Sequence, residues 1–151
     1  MRRWIAPLIL LLATSALAPA AFSQSMSNPK DSLYNRLGGY DAIAAVTDDL
    51  LGRLIADPQL SRFFVGFNNE SKTRIRQHFV DFLCKATGGP CAYMGQDMKT
   101  AHAGMNISEA DWAAAVRDLQ ATLDKFKVPE RERGEVLSAV SSLKPDIVHG
   151  M

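Results

Sequence analysis

The chain has 151 residues, of which 47% are hydrophobic, 22% charged and 8% aromatic; that is about one domain's length with an ordinary globular composition. A disordered or collagen-like chain is excluded. With 17 Lys and Arg against 16 Asp and Glu the net charge is +1, so no basic field points to nucleic acid or an anionic surface as a partner.

The N-terminal segment MRRWIAPLILLLATSALAPAAFSQS reads as a secretory signal. Arg2 and Arg3 form a positive start, an apolar run follows, and small residues from Ala18 to Ser23 resemble a cleavage site. Pro7 and Pro19 bracket the apolar run and leave it short of the ~20 residues a spanning helix needs. The expected division is residues 1–24 as a cleaved signal and 25–151 as one domain, periplasmic or secreted, with no stable membrane span after cleavage.

The remainder predicts helices only. A short helix from about Ser32 to Leu37 stops at Gly38-Gly39, residues suited to a left-handed cap. Ile43, Val46, Leu50, Leu51, Leu54 and Ile55 then recur at helical spacing until Asp57-Pro58 breaks the pattern. A third helix, roughly Ser71 to Ala86, places Ile75, Phe79, Phe82 and Leu83 on one stripe.

Cys84 and Cys91 flank KATGGP, whose Gly88, Gly89 and Pro90 turn the chain. Such a turn can bring the two Cα atoms within the ~4.4–6.8 Å that a disulfide requires, and an exported chain meets an oxidising compartment. A Cys84–Cys91 bridge is therefore expected over two reduced thiols or a zinc site, for which no further ligand has suitable spacing.

A short helical piece from about Asp97 to Ala103 sets Met98, His102 and Met105 at i, i+4 and i+7. Ser108 and Asp111 form a capping pair for the next helix, whose face carries Trp112, Val116, Leu119, Leu123 and Phe126. Pro129 suits the first turn of a last helix that buries Val136, Leu137, Val140, Leu143 and Ile147.

No GxSxG, HExxH, CxxC pair or phosphate-cradling glycine loop occurs, so catalysis by side chains alone is not indicated. His78 borders the stripe of the third helix, His102 lies on the Met98/Met105 face, and His149 sits in a terminal tail as a solvated residue. Taken singly, His78 and His102 read first as hydrogen-bonded boundary histidines. Together, two helices each presenting an imidazole beside an apolar stripe can enclose a hydrophobic slot, and neutral imidazole is a good iron ligand. The absence of CxxCH means that a haem there would be held without thioether bonds.

From Ser32 to Val148 the chain resembles the group I truncated haemoglobins, on SLYNRLGGYDAIAAV, the ADPQLSRFF corner, the two glycines with proline after the third helix, MKTAH and GMNISEADW. The resemblance implies an all-α, two-over-two truncated globin fold enclosing haem b and a diatomic gas ligand: oxygen, nitric oxide or carbon monoxide. It implies that His102 is the proximal iron ligand and that Phe64 packs on the haem. Many members place a Tyr on the second helix and a Gln on the third that hydrogen-bond oxygen; here those positions hold Leu51 and Phe79, and no Tyr lies between residues 41 and 92. Gln77 would serve only if the third helix were rotated. Losing such a hydrogen bond removes roughly 1–1.5 kcal/mol, about tenfold in affinity. Ile75 matches the usual apolar gate.

His78 occupies the position that becomes the sixth iron ligand in cyanobacterial relatives, so the resemblance implies iron ligation or a distal hydrogen bond for it. In the first case an external ligand must displace it, and apparent affinity falls by the open fraction. Phe82 walls the pocket, Met98 packs on the proximal face, Trp112 and Val116 face inward, and Lys99 and Tyr93 reach toward a propionate. The leading expectation is reversible gas binding. The same site is compatible with a haem enzyme acting on nitric oxide, nitrite or peroxide, or with a redox relay; either needs a separate electron-donor reductase, because no flavin or nicotinamide motif is present. A disulfide-stapled interaction domain without cofactor would be colourless.

Overall fold

The structure is a computed structural model and describes residues 31–150; the expected signal segment, 1–24, lies outside them. The described residues form helices joined by turns, with no strand among them. Helix α1 (Leu33–Arg36) is capped by the Ser32 side chain, which accepts from the Asn35 N–H. The chain then reverses through Gly38 and Gly39, both at positive φ (100° and 79°), a conformation that costs glycine little. Helix α2 follows (Gly39–Ala56) and ends where Asp57-Pro58 was expected to end it. Asp57 Oδ1 accepts from the N–H groups of Gln59 (2.7 Å) and Leu60 (3.2 Å), folding a corner that continues into a 3-10 turn at Ser61–Phe64.

Helix α3 (Asn69–Ala86) starts two residues earlier than the periodicity indicated, because the Asn68 side chain caps it by accepting from the Ser71 N–H. Helix α4 is a single turn (Met98–Ala101). The expected continuation to Ala103 does not form: Gly104 takes φ 76°, and Met105 leaves the helical face it was assigned to. Helix α5 (Glu109–Lys125) carries the expected capping box, with Ser108 and Asp111 each accepting from the other's backbone N–H. Phe126 is corrected as well. It caps the C-terminus of α5 and is 38% exposed beneath Lys125, since the helix ends before that face reaches a neighbour.

The last helix is two. Helix α6 (Glu130–Ser141) stops at Ser142, and α7 (Lys144–Ile147) begins anew with Pro145 in its first turn; proline has no N–H to continue the earlier ladder. Val136, Leu137, Val140, Leu143 and Ile147 are each half-buried rather than buried.

Helix α2 packs against α3 and α5, α1 rests against α2 and α6, and α4 packs on α7, while α6 reaches the core through Val136, Leu137 and Val140. The core is correspondingly divided. Ile43, Val80 and Cys84 form one cluster under Tyr34; Leu50, Leu119 and Leu123 form another, joined by Phe79, Val136, Leu137 and Val140. Thr47 is fully buried with its hydroxyl donated to the Ile43 carbonyl at 2.8 Å. Cys84 and Cys91 are joined by a disulfide with Cα atoms 5.8 Å apart. Gly89 lies against it: a Cβ there would come within 2.7 Å of Cys84 Sγ and 2.5 Å of the Tyr34 ring.

Candidate functional site

Helix α3 is apolar on two faces, and only one belongs to the core. Val80 and Cys84, four residues apart, are fully buried against α2. Ile75, His78, Phe79 and Phe82 lie toward another side and stay half-buried. This stripe, expected from sequence to wall a hydrophobic slot, is only half-buried, with Phe79 packed at its inner edge against the Leu50 cluster. None of the aromatic side chains among the described residues is buried to the level of the aliphatic core, although aromatics are the largest apolar groups available to fill it.

At one end of this wall a cavity of about 260 Å³ opens between α2, the corner and α3. Leu51, Phe64 and Ile75, all expected at the site, line it with Gly52, Ile55, Phe67 and Thr73. Asp48, Lys72 and Arg76 supply its charged rim. Arg76 spans the two helices with two donors to Asp48, one of them Nη2 to Oδ2 at 2.8 Å. That contact holds the Asp48 carboxyl below its ordinary range and raises the guanidinium in turn. Ile55 was legible as the i+4 neighbour of Leu51; the Arg76–Asp48 pair was not, because nothing local in a sequence reports a cross-helix partner.

Farther along α3, His78 meets Tyr93 edge to face, ring centroids 6.2 Å apart, and Tyr93 meets Phe82 likewise at 5.3 Å. Tyr93 belongs to the segment between α3 and α4. Its hydroxyl donates to the Gln96 carbonyl at 2.6 Å, so the proton expected to reach a propionate is held within its own loop.

Helix α4 exists to aim one ring. Asp97 caps it, accepting from the Thr100 N–H and hydroxyl at 2.8 Å each, and His102 terminates it. The Met98 carbonyl accepts from the His102 backbone N–H at 3.1 Å and lies 2.7 Å from His102 Nδ1. A carbonyl only accepts, so Nδ1 carries the proton and the lone pair remains on Nε2. This tautomer is the one in which imidazole ligates a metal through Nε2, with the second nitrogen anchored to the backbone. Met98 is half-buried and Lys99 exposed beside it; Trp112 and Val116 are half-buried on α5.

Phe64 is held by a group that the sequence reading credited with capping alone. Asp111 is 1% exposed. Its Oδ1 accepts from Gln59 at 2.7 Å, and its Oδ2 accepts from Arg62 at 2.7 Å, the Ser108 hydroxyl at 2.7 Å and the Ser108 N–H at 2.8 Å. Burial pushes this carboxyl up, but those donors outweigh it and bring it down to about 2. The corner bearing Phe64 is thereby tied to the start of α5. The Ser108/Asp111 capping pair was the local signal; the burial of Asp111 and its ties to Gln59 and Arg62 were not legible in the sequence.

These residues fit haem. A single imidazole with a free Nε2 supplies one ligand, half-buried Phe, Ile, Met and Trp side chains supply apolar walls, and no cluster of His, Cys, Asp and Glu able to hold a bare ion exists among the described residues, so the porphyrin would provide the remaining ligands.

Comparison with known proteins agrees. The bacterial-like globin family matches residues 32–149. A group 1 truncated hemoglobin of Mycolicibacterium paratuberculosis is 35% identical over 119 residues, covering 79% of this chain and 85% of that protein. The crystal structure of a truncated hemoglobin from Tetrahymena pyriformis superposes with a TM-score of 0.70 at 28% identity, over 78% of this chain and 97% of that one. A 2/2 hemoglobin from Synechococcus with covalently attached heme gives 0.70 at 28% identity, over 78% and 98%. With its two-over-two helices, its apolar cleft and its backbone-anchored imidazole, the chain belongs to the group 1 truncated haemoglobins, haem globins that bind diatomic ligands.

Proposed function

We propose that this protein is an exported haem b globin that binds a diatomic gas reversibly, with His102 as proximal ligand and His78 as the distal residue, either a sixth ligand or the donor to the gas. The observation that carries this is the His102 tautomer, with Nδ1 donating to the Met98 carbonyl at 2.7 Å and Nε2 left as the basic nitrogen. Haem iron would supply the coordination position at which the gas binds. Around it, Phe64, Phe79, Phe82, Met98, Trp112 and Val116 would exclude water, Leu51 and Ile75 would bound the distal side, and the exposed Lys99 would be the cation available to a propionate. Leu51 and Phe79 offer no hydrogen bond, which favours apolar ligands such as carbon monoxide over polar oxygen adducts.

His102→Ala tests the reading. The wild type, expressed with haem, should be coloured with a 1:1 haem content, and the variant should lose pigment; an unchanged spectrum would overturn the assignment. Export is supported by the Arg2-Arg3 start and the apolar run to Leu17. The intact mass of periplasmic protein should correspond to a chain beginning near residue 25. A second reading, a redox relay or a haem enzyme served by a separate reductase, is favoured by the position of His78 on the same α3 face as Ile75 and Phe82. Split low-spin bands in reduced, ligand-free protein that turn high-spin in His78→Ala would establish histidine on both sides; high-spin bands in both would eliminate it.

A further inference from the structure

We propose that the Cys84–Cys91 disulfide is a thiol-redox switch on His78, acting through Tyr93 as a positioning residue. The connection is short. Cys84 lies on α3 six residues after His78, and Cys91 lies two residues before Tyr93, so the crosslink ties to α3 the segment whose ring leans on both His78 and Phe82. Tyr93 is held from its other end as well. Its hydroxyl donates to the Gln96 carbonyl at 2.6 Å, and Gly95 lies so close beneath the phenol that a Cβ would overlap it.

Beyond Gly89, whose N–H donates to the Cys84 carbonyl at 2.8 Å, the chain forms no helix or strand until α4. The disulfide is therefore the covalent tie between the Tyr93 segment and α3. An imidazole that moves off Tyr93 toward another partner gives up this contact, and an aromatic pair of this kind changes such a population about two- to tenfold.

The two sulfurs differ in access: Cys84 is 0% exposed, whereas Cys91 is half-buried. A dithiol reductant would attack accordingly. One of its thiolates bonds to Cys91 Sγ, the Sγ–Sγ bond breaks, and Cys84 leaves as a thiolate that takes a proton. The second thiol of the reductant then displaces Cys91 from the mixed disulfide, so the reductant ends as a disulfide and two electrons and two protons reside on the cysteines. With the tie open, Tyr93 withdraws and His78 is released toward the distal position. That consequence rests on the distal role proposed for His78; the positioning of its ring is read separately.

The experiment uses the haem-loaded full-length mature chain. The ferric low-spin to high-spin ratio and the His78 imidazole resonance are recorded for wild type, dithiol-reduced wild type, Cys84→Ser/Cys91→Ser, Tyr93→Leu and the triple variant, with helical content checked by circular dichroism. Reduction and the double serine variant should each shift the ratio two- to tenfold toward low spin and move the His78 resonance. Tyr93→Leu should reproduce both changes, and the triple variant should add nothing to them. An unmoved His78 resonance on opening the disulfide overturns the proposal, as does a disulfide effect that persists in full without Tyr93. If His78→Ala leaves the spin state unchanged in every form, the distal ligation falls instead, while the His78 resonance in the other variants still decides whether Tyr93 and the disulfide position the ring.

Discussion

Single atoms decide the chemistry proposed for His102 and for the distal side. The carbonyl of Met98 selects the tautomer, and on the proposed distal side Leu51 and Phe79 offer neither hydroxyl nor amide. Leu51 is buried at the cavity, so Leu51→Tyr should bring a phenol to it and slow oxygen dissociation about tenfold. Carbon monoxide dissociation should change much less; flash photolysis and stopped-flow mixing measure both. Asp111 acts at the same scale on stability. Asp111→Ala removes a capping residue and the acceptor of Gln59 and Arg62, and should cost about 2 kcal/mol in urea unfolding. Both Asp111 and Asp49 are held at about 2 against an ordinary 3.8, Asp49 chiefly by Lys125 and Arg53. In this window the unfolded chain binds more protons than the native one, so the stability these groups contribute is complete above about pH 4 and lost as pH falls toward 2. Asp111→Asn should therefore flatten the acid limb of stability against pH while lowering stability at neutral pH.

Helices in this protein answer to two neighbours at once, and the apolar stripe read on α3 identified the helix without marking Val80 and Cys84, the residues it buries. Val80 and Cys84 sit in the aliphatic core, whereas Ile75 lines the cavity, Phe79 packs at the Leu50 cluster and Phe82 meets Tyr93. A periodicity of 3.6 marks an apolar face and does not say whether protein or cofactor covers it. The termini were legible where a side chain caps locally, as at Ser32 and Ser108. They were missed where a proline or a short connection intervenes, as in the division of α6 from α7. Helix α6 also contains a glycine without a steric reason: a Cβ at Gly134 would meet nothing within 4 Å. Gly134→Ala should stabilise the protein by up to about 1 kcal/mol in thermal or urea unfolding, with no change in the haem spectrum.

For the whole molecule, the core is divided into two aliphatic clusters and the aromatic side chains among the described residues are at most half-buried, so a bound haem would add to the folding energy. Unfolding midpoints should rise with haem concentration in the wild type, as expected when a ligand binds only the native state, and His102→Ala should lose most of that rise; differential scanning calorimetry across a haem titration measures it. What the amino-acid order determined alone was local: an all-helical chain, its capping residues, the cysteine pair at turn spacing and the imidazole in MKTAH, since each depends on residues a few positions apart. Tertiary structure decided which face of α3 is core, that Asp111 anchors the Phe64 corner, that Arg76 bridges to Asp48 and that Tyr93 leans on His78. Those are contacts between segments distant in the chain, and their energies arise only when packing brings the partners together and removes the water between them.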